Sequence, residues 1–293
     1  MPLEDVDHFV RAHQAGRNDL TLRAPELKHL TNKAIAQFGL GSIGAPSALE
    51  FARAGIGDLR VCDFDSVDPG TMLRWPFGLS VLGLNKVDVI QRFIQRNYPY
   101  TKISAYQRKV GTIRPAIPGV ESEDQFIERV CDQASLIYDA TAEYGVQHFL
   151  SDWAHSRHVK YVGVQGTFGG WGGKVINIDP ERTKGCWICC QLASRDEIID
   201  HPFAAPEATG TIQAVGCGDI TFTGAGFDLC QIALSGVRVA LGALGDGAVG
   251  TYPAADWDVL IINLRNKDGS AAPPQFKSYK LEKHPNCPRC NPL

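Results

Sequence analysis

The sequence predicts an α/β fold, with one mixed β-sheet flanked by helices, parallel in its N-terminal half and antiparallel in its C-terminal strands. Three observations predict it. Short apolar runs alternate with helical spacing up to residue 150, and glycine-bounded runs of strand length follow. The 293 residues, 44% hydrophobic and 21% charged, have the composition of a globular chain able to bury a sizeable core.

Each element has its own signal. Residues 34–39 are a short apolar run of strand length, and residues 45–54 carry helical spacing that Gly55 closes as a C-terminal cap. Residues 59–64 return to strand. Residues 85–97 place Val87, Ile90, Phe93 and Ile94 at helical intervals, and residues 136–140 are again short and apolar, with Asp139 near the end. This order of strand and helix predicts parallel strands joined by crossovers. Residues 161–164 read as a further strand, and the glycines from 166 to 173, around Trp171, read as a hairpin turn leading into residues 174–178. Residues 190–216, with Pro202, Pro206 and Gly210, read as a long loop. A long apolar helix over 227–244 and late antiparallel strands over 258–264 and 276–281 complete the pattern.

Charge and composition narrow the function classes. A formal net charge of -3 offers no basic field for nucleic acid or anionic lipid. Residues 1–30 lack the apolar core of a secretory signal, and no run approaches the roughly 20 apolar residues that span a bilayer. A cytoplasmic protein is the simplest expectation. His148, His155 and His158 lie near helical spacing, but Phe149, Leu150 and Trp153 form a core stripe beside them, which reads as a surface helix and not as a metal site.

The first chemical signal is Gly39-Leu40-Gly41-Ser42-Ile43-Gly44, placed between a strand and a helix. Gly39 and Gly41 let the backbone turn sharply and approach a phosphate, Gly44 lets helix and strand pack closely, and the helix start offers unpaired N–H groups to an anion. Asp63 lies 19 residues after Gly44, at the end of the next strand, where an acid accepts hydrogen bonds from ribose hydroxyls. These features read as a Rossmann-like nucleotide site. Past Asp63-Phe64-Asp65 come Arg74 and Lys86, cations of the kind that neutralise charge building up on phosphate.

The second signal is cysteine. Cys186-Trp187-Ile188-Cys189 and Cys287-Pro288-Arg289-Cys290 are two Cys-x-x-Cys knuckles, and four thiolates suit a closed tetrahedral zinc site with no position left for substrate. Such a site ties the C-terminal tail to the body, with Cys190 as a spare thiol. Cys217, in Val215-Gly216-Cys217-Gly218-Asp219, follows the long loop just ahead of the long helix and is a candidate nucleophile, while Cys62, Cys131 and Cys230 read as small buried residues.

Taken together, these motifs resemble the ThiF/MoeB family, bacterial relatives of ubiquitin-activating enzymes. The resemblance is carried by the glycine loop at 39–44, Ala54-Gly55-Ile56-Gly57-Asp58-Leu59, Asp63-Phe64-Asp65, Arg74, Gly83-Leu84-Asn85-Lys86-Val87 and Asp139-Ala140-Thr141, and it runs from about residue 30 to the C-terminus. It implies that ATP lies on Gly39, Gly41, Ser42, Ile43 and Gly44, with Asp63 on the ribose, Asp65 beside it, and Arg74 and Lys86 on the phosphates. It also implies the zinc arrangement, a homodimer, and a crossover-loop cysteine at Cys217 that takes the activated carboxyl as a thioester or persulfide partner. Two positions depart from the family pattern. Thr71 stands where the family has Asn, and Ala142 stands where its Asp-x-Thr-Asp motif has the second acid, which helps bind Mg2+. That leaves Asp139 or Glu143 to meet magnesium, with Asp139 counted among the catalytic candidates.

The organisation implied is an N-terminal helical extension, 1–30, and one adenylation domain, 31–293. The latter has a nucleotide-binding half (31–165) and a substrate-binding half (166–293) holding the crossover loop 190–217 and the zinc knuckles. The expected reaction is ATP-dependent adenylation of the C-terminal glycine of a ubiquitin-like protein, then thioester formation on Cys217 and transfer to a conjugating-enzyme-like protein. Trp75, Phe77 and the glycine-rich hairpin are candidates for shaping a channel for the glycine tail. Other readings are sulfur-carrier activation, small-molecule or tRNA adenylation, an NAD(P)-dependent dehydrogenase, and a nucleotide-binding scaffold without catalysis, which Ala142 keeps open.

Overall fold

A computed structural model describes residues 16, 19, 21–111, 119–206 and 222–291. Its centre is one eight-stranded sheet in the order β3-β2-β1-β4-β5-β6-β7-β8. Strands β1 (Ala34–Phe38), β2 (Asp58–Cys62), β3 (Lys102–Tyr106), β4 (Leu136–Asp139) and β5 (Lys160–Gly166) are parallel. Strands β6 (Gly172–Ile178), β7 (Val259–Arg265) and β8 (Ala271–Tyr279) continue it antiparallel. The mixed sheet is the predicted one.

Helices cover both faces, so the central strands are apolar on both sides. On one face α1 (Gly44–Arg53), α2 (Lys86–Asn97) and α6 (Gly226–Gly245) pack with Ile35, Leu59, Val61, Tyr138, Val162 and Val164. On the other, α3 (Glu123–Cys131), α4 (Tyr144–Ser156) and α5 (Trp187–Arg195) pack with Phe38, Ile137, Tyr161, Ile176 and Ile261. Gly55 caps α1 with φ +85°, a conformation glycine adopts without strain. Among the described residues α6 is the one helix long and apolar enough to cross a membrane, and here it lies against α1, β5 and β6.

Several elements differ from expectation, each for a local reason. α5 occupies residues 187–195, so the irregular stretch expected from 190 begins after the helix. Its buried face of Trp187, Cys189, Cys190 and Ala193 carries no aliphatic stripe to announce it. β3 had no strand signal because it is an edge strand in which Ile103 alone is buried. α3 begins at a capping box, Ser122 with Gln125. β8 starts at Ala271, ahead of the expected 276, because Pro273 and Pro274 are tolerated on an edge strand. Most of the expected N-terminal extension, and residues 207–221 with Cys217, lie outside the described residues.

Candidate active site

The strand order reverses at β1, whose neighbours are β2 on one side and β4 on the other. In open α/β sheets such a switch point leaves a crevice beyond the carboxyl ends of the strands, where ligands bind. The glycine loop, Asp63 and the Asp139 turn all follow strands that end there.

The loop is tight where chain meets chain and open where a ligand would lie. A Cβ on Gly44 would come within 2.0 Å of the Gly39 carbonyl oxygen, and one on Gly39, which sits at φ +88°, within 2.6 Å of the Ala140 carbonyl oxygen. A Cβ on Gly41 would meet nothing within 4 Å. Among the described residues, the N–H groups of Gly41, Ser42 and Ile43 find no acceptor, while the Gly41 and Ile43 carbonyls accept from Ala45 and Ser47 of α1. Unpaired donors at a helix start form an anion cradle.

Asp63 anchors this loop. Its Oδ2 accepts the Leu40 N–H at 2.6 Å and its Oδ1 the Asp65 N–H at 2.7 Å. Burial pushes its carboxyl above the ordinary value, against the pull of Lys86 and those two N–H groups. Lys86, at the start of α2 and nearly buried, pairs with Asp65 at 2.9 Å. Arg74 is tied elsewhere: its guanidinium donates to the Phe222 carbonyl and lies 5.6 Å from the centre of the Phe222 ring, and partial burial lowers its pKa. It also lines a cavity of about 420 Å³ with Pro46, Leu49, Gly226 and Cys230. The structure thus brings Asp63, Asp65 and Lys86 to the loop and fastens Arg74 to the segment preceding α6.

Asp139, the candidate for catalysis and for magnesium, is enclosed by the fold. Asp139 is fully buried. One oxygen accepts the Thr141 N–H at 3.0 Å and the Thr141 hydroxyl at 2.7 Å, and the other accepts the Tyr161 hydroxyl at 3.0 Å. Burial pushes its carboxyl up to about 6. A carboxylate enclosed in this way does not fit a hydrated magnesium ion. Its work is to end β4 in a turn that sets Ala140 against the glycine loop. Ala142 follows at φ +56°, a backbone region that Asp and Asn tolerate better than Ala, and Glu143 is exposed at the N-cap of α4.

Trp75 is enclosed as well. It is buried and its indole N–H donates to the Leu40 carbonyl at 2.8 Å, so it fastens the loop instead of lining a tail channel. Phe77 packs edge-on against it. Thr71 closes a short turn onto Asp68. The glycine-rich hairpin is a turn as expected, with Gly169 and Gly170 at positive φ between β5 and β6. Sequence reasoning missed Gln37, whose side chain touches both ends of the loop. A polar residue inside a run otherwise suited to a doubly buried strand was the available signal.

The four knuckle cysteines converge. Sγ separations are 3.8 Å for Cys186–Cys189 and 3.6 Å for both Cys186–Cys287 and Cys189–Cys290. All four sulfurs lie within 4.8 Å of one another. A tetrahedron with metal–sulfur bonds of about 2.3 Å has edges of about 3.8 Å, so the cage fits one metal ion and is too open for disulfides. The His284 N–H donates to Cys189 Sγ at 3.3 Å, and the His284 ring meets Asp196 at 3.0 Å. Cys190 is buried and its thiol is pushed up to about 11. His155 and His158 are exposed, and His148 stacks on Trp187, in line with the surface-helix reading.

Comparison with known proteins agrees with this architecture. The family model described as "ThiF family" matches residues 16–255. The chain is 33% identical over 291 residues to "Uncharacterized protein y4qC" of Sinorhizobium fredii, covering 97% of this chain and 48% of that protein. It is also 33% identical over 86 residues to "Ubiquitin-like modifier-activating enzyme 5" of Bombyx mori, covering 29% of this chain and 22% of that protein. Among solved structures, E. coli MccB with MccA-N7isoASN superposes with a TM-score of 0.63 at 14% identity, covering 90% of this chain and 69% of that one, a likeness of fold. The chain spans about half the length of the curated relatives it matches over nearly its whole extent. The chain belongs to the ThiF family, and its mixed eight-stranded sheet flanked by helices is a Rossmann-like fold shared with MccB.

Proposed function

We propose that this chain uses ATP to adenylate the C-terminal carboxyl of a protein or peptide. The observation that carries this reading is the meeting at the β1/β4 switch point of a loop with unpaired N–H groups, the half-buried acid Asp63 and the Asp65–Lys86 pair. In this reading residues 31–165 bind the nucleotide and residues 166–293 the acyl partner. The free lone pairs of Asp63 take the ribose hydroxyls, and the loop N–H groups face the phosphates. The substrate carboxylate attacks the α-phosphorus, the bond to the bridging oxygen breaks, and pyrophosphate leaves with the electron pair. Lys86 and Arg74 neutralise the charge that develops, and an acyl-adenylate remains.

The finer form of the proposal takes a ubiquitin-like protein ending in glycine as the substrate, a reading supported by the similarity to a ubiquitin-like modifier-activating enzyme. The Cys217 thiolate then attacks the acyl-adenylate carbonyl, AMP leaves, and the thioester passes to a conjugating-enzyme-like protein. Zn2+ in the four-cysteine cage fixes the C-terminal tail, and two copies form a homodimer.

ATP–pyrophosphate exchange with candidate carboxyl partners tests the scheme. Arg74→Ala is expected to lower exchange by about 100-fold, while Cys217→Ala retains exchange and loses only the thioester. Absence of exchange with every ubiquitin-like or peptide carboxyl offered would sink the reading and favour a nucleotide-binding scaffold.

A further inference from the structure

Gln37 sits in the middle of β1, fully buried, where the neighbouring Ile35, Ala36 and Phe38 obey the apolar rule for a strand covered on both faces. Its amide nitrogen lies 2.6 Å from the Gly44 carbonyl oxygen and 3.1 Å from the Gly39 carbonyl oxygen. Those are the two ends of the glycine loop. Both contacts are to acceptors, so the nitrogen faces the loop, and both of its N–H groups are used. The amide oxygen is buried and has no partner among the described residues, a cost that the strand would avoid with Val or Ile.

The adjacent strand does related work. Tyr138 is the register partner of Gln37 on β4, so both side chains point to the α1 face. Its hydroxyl lies 2.8 Å from the Ser47 hydroxyl, which donates to the Ile43 carbonyl at 2.9 Å. Two neighbouring buried polar side chains therefore hold the carbonyls of the loop and of the first turn of α1.

We propose that Gln37 is a positioning residue for the nucleotide loop, an internal clamp that pins the Gly39 and Gly44 carbonyls together and so aims the intervening N–H groups outward. Pinning these carbonyls fixes the planes of the Gly39–Leu40 and Gly44–Ala45 peptides, whose N–H groups go to Asp63 and to the Gly41 carbonyl, and so holds both ends of the loop from which the Gly41, Ser42 and Ile43 N–H groups project. Gly44 has no Cβ because its α-carbon must pass against the same Gly39 carbonyl, so the amide and the missing side chain act on one closure. The residue contacts no ligand; it acts by preorganising donors. The role rests on the nucleotide-binding reading above.

The test uses the whole chain, with a fluorescent ATP analogue and hydrogen exchange measured without nucleotide. Gln37→Met keeps the volume and removes the donors. The expected result is at least tenfold faster exchange confined to the hydrogen-bonded amides of Leu40, Ala45 and Ser47 at the ends of the loop and at least tenfold weaker nucleotide affinity, with the exchange of β4 and β5 unchanged. Gln37→Glu is the second variant, since its carboxyl donates only when protonated; its affinity relative to the parent chain is expected to recover as pH falls from 7.5 to 5. Loop exchange within twofold of the parent in both variants, or acceleration spread evenly over the sheet, would overturn the clamp. A parent chain that ignores ATP would overturn the nucleotide reading and leave the exchange result standing.

Discussion

The nucleotide edge and the cysteine cage are built on opposite principles. At the edge the working groups are backbone N–H groups and carbonyls from three strand ends close to one another in the fold, held by the buried side chains of Gln37 and Trp75 and the half-buried Asp63. At the cage the working groups are side chains alone, brought together from positions 101 residues apart in the chain. A backbone site can be preorganised without its ligand, because strand pairing and tight packing fix it. Four close thiols have no such cohesion, and a metal ion held by them would turn their proximity into a bond between tail and body.

The largest effect expected from that difference is at the cage. Cys287→Ser, or a strong chelator, is expected to abolish one metal equivalent per chain and release the segment after β8. Structural zinc contributes on the order of 10 kcal/mol in isolated fingers; in a chain with its own sheet a loss of several kcal/mol is expected, read as a fall in Tm and as new protease cleavage after Tyr279. Unchanged metal content and Tm would mean that packing alone holds the tail.

The next effect separates two glycines in one loop. Gly44→Ala places a methyl 2.0 Å from a backbone oxygen, with no flexible neighbour to yield. A cost of about 3 kcal/mol is expected, with loss of nucleotide binding. Gly41→Ala meets only open space, so Tm should hold while ATP affinity falls by about tenfold, or about 1.4 kcal/mol, as the methyl occupies the space meant for phosphate. Equal losses of Tm in the two variants would show that Gly41 also serves the fold.

These contrasts also explain what was legible in the sequence. The glycine loop, Asp63 and the paired knuckles are local signals, written in spacing, and the strands that carry them are doubly buried apolar runs. Helix α5 was hidden because cysteine, alanine and tryptophan supply its buried face. β3 was hidden because an edge strand needs one apolar side chain and not an alternating pattern. Gln37 and Tyr161 were illegible in a deeper sense, since their partners, Gly44 and Asp139, are defined only once strands pair and helices pack. The surroundings of Asp139 were illegible for the same reason. Its motif position suggested a ligand, and only the closed shell of Thr141 and Tyr161 assigns it to the fold.

Asp139 gives the smallest and most specific prediction. Its carboxyl sits at about 6 in the folded chain against an ordinary value near 3.8, with burial as the main cause. Between those two values the folded state binds more protons than the unfolded one, so this group's contribution to stability falls as pH rises from about 4 to about 6 and stays at its lowest above that. The displacement sets an upper limit of about 3 kcal/mol on the effect. Asp139→Asn keeps an oxygen for Thr141 and can donate to the Tyr161 hydroxyl, so it removes the charge with little change of shape. Carboxylates such as Glu121 and Asp200, whose pKa values lie below the ordinary range through ion pairs, give the opposite slope, but they are common to both proteins and cancel in the comparison. The Tm of Asp139→Asn minus that of the parent chain should therefore rise by a few degrees between pH 4 and 6.5 and be flat above. A difference independent of pH would mean that Asp139 is hydrated or ion-paired in solution, reopening the nucleotide edge to a metal-binding acid at the end of β4.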